Sequence, residues 1–428
     1  MMLISLAACL GALLSIWVFY PGYMSFDSAY QWWQVRHGVM DPAHPPVMTL
    51  IWSVTEYMLS GPGGYFVLQQ LFYWIAIGAF IMSLRLPTPM KVALVLMLGF
   101  WPPLWGLSLH LWKDVGMFSL FCLACACYSH DLVRPSAVLR ALALLFILVA
   151  CFYRHNAITA AYPLLVYAVS RHLWQKHGES AGTWRPLIYG GLGCIVMYGL
   201  VALPQQVLKP ASISLFEVVA MWDVAAVSIQ EDELLFPPRW LVHETTLDDI
   251  REDFNPVFGG FILSGGNVIT HYNPESGESD FRDLRTVWSK LPFHYPGAYW
   301  RHRFNVMMTT LGWRHDPGNG NLVFHLGMTT YRDNPPVTQR PSEAKIQVQK
   351  WLTAFDHSPL FQNGWYALIC LLVLVVAATK RLMLPAAIAA SGLMYALPLL
   401  VLAPSADFRY MSWTIMAALL ALLRSIRV

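Results

Sequence analysis

The sequence predicts an α-helical polytopic membrane protein with about ten transmembrane helices and one large extracytoplasmic segment of mixed structure. Three observations carry this. The 428 residues are 56% hydrophobic and only 12% charged, whereas a soluble globular chain carries about 25% charged residues. The apolar residues fall in blocks close to the about 20 residues that cross a bilayer. Lys and Arg gather in alternate short loops, the asymmetry that marks a cytoplasmic face. The formal net charge of +3 is small, and it suggests no nucleic-acid surface.

The first block, 2–20, reads as an uncleaved span. Its LAAC stretch, Leu6 to Cys9, resembles a lipoprotein cleavage box, but no basic region precedes it. Further blocks lie near 64–84, 92–110, 114–130, 138–153, 157–170, 187–205, 362–379, 384–402 and 410–423. Several are shorter than a full crossing, so tilt or local thinning must accommodate them. Residues 44–60 are apolar on one side but contain Glu56 and stop at Gly61-Pro62-Gly63. A span there breaks the charge alternation, so a helix lying along the outer surface is expected.

Basic residues follow each even-numbered span: Arg85 and Lys91; Arg134 and Arg140; Arg171, Lys176 and Arg185; Lys380 and Arg381; Arg424 and Arg427. Both termini are then cytoplasmic, and residues 21–63 and 206–360 face outward. The chain divides into 1–205 with seven spans, 206–360 outside the membrane, and 361–428 with three spans. The middle region holds much of the charge, including Glu231-Asp232-Glu233 and Asp248-Asp249, together with Gly-Gly and Pro-Pro pairs. It reads as a domain of mixed helix and loop. All seven cysteines lie in apolar stretches, and Cys122, Cys125 and Cys127 lack partners at zinc-site spacing. They read as small packing residues of a helix.

Ionisable groups recur where outer loops meet spans. Asp27 follows the first span among the aromatic residues Phe26, Tyr30, Trp32 and Trp33, a setting in which a carboxylate takes a proton while rings stack on a sugar. Lys113 and Asp114 precede the fourth span, Arg154, His155 and Asn156 separate the fifth from the sixth, and Arg409 with Tyr410 precedes the last. Ionisable residues flanked by apolar sequence are functional candidates. Plainer readings stand beside this one. Asp27 is also suited to cap a helix, Asp114 to a local pair with Lys113 or a cap, and each cation to snorkelling toward headgroups. His44, before Pro45-Pro46, either orients a phosphate or marks a turn.

In combination, FDSAY after the first span, HPP before a surface helix, Lys-Asp after the third span and Arg-Tyr before the last resemble the GT-C superfamily of polyprenyl-phosphate-sugar-dependent glycosyltransferases. That superfamily includes protein O-mannosyltransferases and the lipid A aminoarabinose transferase. The resemblance covers about the first 170 residues and the last outer junction. It implies a GT-C-like fold in a bacterial inner membrane, with the active site facing the periplasm. It also implies inverting transfer of a sugar from a polyprenyl-phosphate donor to a glycan, lipid or protein acceptor.

On the same resemblance Asp27 is the general base. Lys113, Arg154 and Arg409, with His44 or His155, hold the donor phosphate, and Asp41, Asp114, Tyr30 and Tyr410 are further contacts. Some members use an acidic pair after the first span. Here Ser28 follows Asp27 and Asp41 is the other carboxylate of that loop, which leaves a divalent metal open. Two alternatives remain, a flippase for a lipid-linked glycan and a ligase using a polyprenyl diphosphate. The chain shows no repeated halves of the kind many transporters carry.

Overall fold

The computed structural model of the protein describes residues 1–40, 46–177, 184–207, 215–242, 244–269, 272–273, 278–279, 281–314, 327–338, 342–355 and 358–426. Helices dominate. The first group comprises α1 (Met2–Phe19), α2 (Phe26–His37), α3 (Pro46–Met58), α4 (Pro62–Met82), α5 (Thr88–Gly99), α6 (Pro102–Ser108), α7 (Lys113–Val133), α8 (Ala137–Tyr153), α9 (Ala157–His177) and α10 (Trp184–Val207). A middle group follows with α11 (Leu215–Glu231), α12 (Leu247–Asp253), α13 (Phe261–Ser264), α14 (Arg282–His294), α15 (Pro296–Thr310) and α16 (Glu343–Ala354). The last group is α17 (Asn363–Thr379), α18 (Met383–Ala396), α19 (Leu399–Leu402) and α20 (Ser412–Ser425). Two short antiparallel strands, Tyr272–Asn273 and Glu278–Ser279, pair between α13 and α14.

Among the described residues five helices are long and apolar enough to cross a membrane: Met2–Phe19, Pro62–Met82, Lys113–Val133, Trp184–Leu203 and Met383–Leu402. A sixth arises if α5 and α6 are one span, broken by a 62° bend. The break has a local cause. Pro102 and Pro103 open α6, and proline removes the N–H that would continue the preceding helix. Helices α8 and α17 are apolar but shorter. Every apolar block expected to span is therefore helical, while length and composition qualify only these five or six as crossings.

The outward surface of α1 exposes Leu3, Leu6, Leu10, Leu13 and Trp17, and that of α10 exposes Ile188, Leu192, Ile195 and Val196. So continuous an apolar face calls for a hydrocarbon solvent. By contrast α7 is buried along nearly its whole length, Cys122, Cys125 and Cys127 included. It forms the axis around which α4, α8 and α20 pack. Gly116 lets α8 approach this axis, because a Cβ there would enter the ring of Tyr153. Small residues at helix crossings serve this purpose in membranes.

The middle group has its own core, in which Met221, Val224, Trp240, Ile250, Leu284 and Tyr299 are buried. A third cluster joins it to the bundle, placing Trp222, Val257, Val306 and Leu311 against Leu399, Ala403 and Met411. Backbone bonds reinforce the joint: Gly259 donates to Pro404 at 3.0 Å and Ala406 to Val257 at 2.8 Å. Helix α3 forms where a surface helix is expected, with Met48, Thr49 and Trp52 buried and Tyr57 exposed.

Candidate functional site

The site begins with two turns held edge to edge. Tyr23 N–H donates to the Leu109 carbonyl at 2.9 Å and Leu111 N–H to the Tyr23 carbonyl at 3.0 Å, a short parallel bridge between the turns before α2 and α7. Side chains extend it. Ser28 donates to the Leu111 carbonyl at 2.7 Å, and Trp112 Nε1 donates to Ser25 Oγ at 2.8 Å. The first turn of α2, carrying Asp27, thus lies beside the first turn of α7, carrying Lys113 and Asp114. Ser25 occupies the N-cap position and Asp27 lies inside the first turn, so the expected cap is corrected by two residues. A carboxylate there still gains from the helix dipole.

Asp114 is not a cap or a local partner of Lys113 alone. It is fully buried, and its Oδ1 accepts a hydrogen bond from Arg154 Nη1, across from the C-terminus of α8. Arg154 also donates to Asn156 Oδ1 at 3.2 Å, and its guanidinium lies 5.0 Å from the centre of the Tyr410 ring. Burial works against its charge, and Asp114 together with Tyr395 and Tyr410 outweighs it, so Arg154 is held protonated. Such a pair is tolerated in the interior because each partner answers the other.

Arg409 completes the cluster from a short 3₁₀ turn, Phe408–Met411, ahead of α20. Its Nη2 lies 2.6 Å from Asp27 Oδ2 and its Nε donates to Asp407 Oδ2 at 2.7 Å. The plane of the guanidinium is bounded by two rings, with Trp112 at 5.0 Å and Tyr410 at 5.6 Å. Burial raises the Asp407 carboxyl, while Arg409 pulls it back toward ionisation. Lys113, nearly buried, stands within electrostatic reach of Arg154, Asp27, Asp114 and Arg409.

The structure therefore gathers Asp27, Lys113, Asp114, Arg154, Arg409 and Tyr410 at one end of the bundle. His155 adjoins them and reaches the surface; desolvation of its ring, and then Lys113 and Arg154, lower it to about 4. It is neutral near pH 7 and adds no charge. Tyr30 sits one turn further along α2 and packs edge-on to Tyr331, with ring centres 5.1 Å apart, and parallel to Trp33 at 6.2 Å. His44 and Asp41 lie outside the described residues.

Three contributors were not anticipated. Asp407 is the second carboxylate on Arg409, Trp112 covers that guanidinium, and Ser25 anchors Trp112. Asp407 stands two residues before Arg409 and could have been noticed as a turn cap. Trp112 directly precedes Lys113. The Ser25 link joins distant parts of the chain and has no local signature.

Of the cluster, Asp27 is the accessible acid, with a side chain 31% exposed against 12% for Arg409 and none for Asp114. Asp27 is thus nearer the solvent than Arg409, Lys113 and Asp114. Asp114 Oδ2 and Arg409 Nη1 are buried without a hydrogen bond among the described residues, and such groups in a polar cluster are poised to accept a ligand or water. No three His, Cys, Asp or Glu side chains among the described residues converge as a metal site does. Comparison of the chain with protein-family models, with curated proteins and with solved structures finds no match.

Proposed function

We propose that this protein is a membrane glycosyltransferase that moves a sugar from a polyprenyl-phosphate donor to a hydroxyl-bearing glycan, lipid or protein acceptor, with inversion. The observation that carries the reading is the Asp27–Arg409 pair, an accessible carboxylate 2.6 Å from a guanidinium backed by Lys113 and Arg154. It joins a proton acceptor to cations suited to a phosphate. The apolar surface of the bundle suits a donor whose chain stays in the bilayer. GT-C architecture, ten crossings, an outward-facing site and cytoplasmic termini belong to this same proposal.

In the proposed reaction the acceptor oxygen forms a bond to the anomeric carbon as its proton passes to Asp27. The bond from that carbon to the phosphate oxygen breaks, and polyprenyl phosphate leaves with the electron pair. General-base help of this kind contributes about 10²–10⁴-fold. Lys113, Arg154 and Arg409 stabilise the charge growing on the leaving group, and preorganised charges in a dry site form the larger contribution. An Asp27 bound to Arg409 is a weakened base. Donor phosphate competes for Arg409, loosens that pair and raises the basicity of Asp27 when the substrate arrives.

The test is incubation of purified protein with defined polyprenyl-phosphate sugars and a cell-envelope extract, followed by mass spectrometry of labelled acceptors. Transfer that survives Asp27→Asn at the wild-type rate removes the mechanism. Translocation of glycolipid in proteoliposomes without any transfer product replaces it with a flippase.

A further inference from the structure

The helices that begin beside the Asp27–Arg409 cluster end in a second ionic group. Asp131 lies near the end of α7, Arg171 toward the end of α9 and Arg424 in the last turn of α20. Helix α7 is about 30 Å long at roughly 1.5 Å per residue, so this group stands at the opposite end of the bundle. Asp131 is buried, and its Oδ1 accepts from Arg140 Nη1 and from the Ser136 N–H, both at 2.8 Å. Arg171 Nε lies 3.6 Å from Asp131 Oδ2, beyond hydrogen-bonding reach. Tyr167 stands within electrostatic reach of Arg171, Asp131 and Arg424, and Arg424 within reach of Arg85.

Arg85, Arg140, Arg171 and Arg424 thus gather where Asp131 is the neighbouring acid, already bound by Arg140. Snorkelling explains a cation that reaches out of the bundle, as the exposed Arg134 does. It does not explain Arg171 and Arg424. The Arg171 side chain is 14% exposed, and the Nε atoms of both arginines are buried without a hydrogen bond among the described residues. The hydroxyls of Tyr128 and Tyr167, on rings 5.1 Å apart, are buried and unbonded in the same way. Buried polar atoms ordinarily have partners, and neighbouring like charges oppose one another's ionisation. An anion that accepts several hydrogen bonds answers both conditions, and phosphate is the anion that guanidinium groups fit best.

The rim of the group selects the kind of phosphate. Trp174 is exposed, with its ring centre 5.6 Å from the Arg171 guanidinium, and Leu422 and Ile426 are exposed on either side of Arg424. Tryptophan beside a basic residue at the end of an apolar helix is the arrangement found at headgroup level. A free phosphate gains nothing from such a rim, whereas the chains of a lipid cover it. We propose that Arg171, Arg424 and Tyr167 bind the phosphate of an anionic phospholipid, with Arg85 at the exposed edge of the site. Basic pockets between membrane helices hold headgroups in this way. The proposal does not depend on the transferase reading.

The experiment is native mass spectrometry of the full chain in mild detergent, titrated with dioleoylphosphatidylglycerol or dioleoylphosphatidylcholine, with inorganic phosphate as soluble competitor. The wild type retains phosphatidylglycerol in preference to phosphatidylcholine. Arg171→Gln and Arg424→Gln each weaken that binding about tenfold, the loss of one hydrogen bond to a charged group. Tyr167→Phe also weakens it, yet leaves the melting temperature in phosphatidylcholine unchanged, because its hydroxyl has no hydrogen bond among the described residues to lose. Arg85 is exposed, so Arg85→Gln tests the site even where an Arg424 variant fails to fold. Equal retention of the two lipids overturns the proposal, and so does unchanged binding in both Arg85→Gln and Tyr167→Phe. A loss in Arg134→Gln as large as in Arg424→Gln overturns it too, because the attraction then belongs to the whole basic end. Displacement of the lipid by inorganic phosphate at equal concentration overturns the choice of a lipid.

Discussion

Arg409 Nη2 lies 2.6 Å from Asp27 Oδ2 while Arg409 Nε is hydrogen-bonded to Asp407, so one guanidinium is shared by two carboxylates from opposite ends of the chain. The two differ in access: Asp407 is 13% exposed and Asp27 31%.

Removing the charge of Asp27 separates its two proposed effects. Asp27→Asn should lower transfer by about 10²–10⁴-fold, the range of a general base. The same variant should bind polyprenyl phosphate several-fold more tightly, because Arg409 no longer has a competing carboxylate. Titration of the phosphate by calorimetry checks the second outcome, and equal or weaker binding contradicts the competition.

Arg409→Ala leaves Asp407, 13% exposed, with its guanidinium partner gone, and the loss should fall below the about 3–5 kcal/mol of a fully buried pair. The double variant Arg409→Ala with Asp407→Asn should recover most of that stability without recovering donor affinity. Thermal unfolding read beside donor titration shows whether the two losses separate. Full recovery of both makes Arg409 a structural residue only.

Gly116→Ala should push Tyr153 from α7 and displace the neighbouring Arg154 from Asp114. Overpacking of this size costs about 1–3 kcal/mol. Transfer should fall by more than the loss of folded protein explains, because the displaced cation belongs to the site. Activity per folded molecule, measured at a temperature well below the unfolding midpoint, is the deciding quantity.

His302 gives the middle region a pH signature. Its folded pKa is lowered by burial, so in acid the unfolded chain takes up a proton first, near the usual pKa of about 6.5. Stability contributed by the neutral ring is present above that value and lost as pH falls below it, with a limiting slope of about 1.4 kcal/mol per pH unit. His302→Gln should remove this dependence. Hydrogen exchange of α11 and α15 between pH 7 and pH 5 detects it, and identical profiles for both proteins contradict it.

The ionic cluster was legible because charge is conspicuous in an apolar chain. Asp27, Lys113, Arg154 and Arg409 each stand at the end of an apolar block, and alternation of the loops assigns those ends to one layer. Their partners were not legible. Asp114 pairs with Arg154 across two helices, and Ser25 binds Trp112 through a bridge between turns distant in sequence. Such contacts have no period to read.

The middle region was harder for another reason. Its helices are short, and its buried Asp223, which pairs with Arg303, is a lone acid in the apolar run VVAMWDVAAV. An acid inside such a run signals a buried partner, but nothing local names Arg303, far along the chain. The resemblance to GT-C enzymes concerns the first spans and the last junction, and it implies nothing about the middle region.

The joining of Asp27 to Arg409 also orders events during synthesis. Helices α1 to α19 all precede the turn at 408–411 in the chain. A chain halted there carries its carboxylate without the guanidinium that pairs with it. Docking of this turn and α20 is therefore the step at which the Asp27–Arg409 pair forms, after every other described helix has been made.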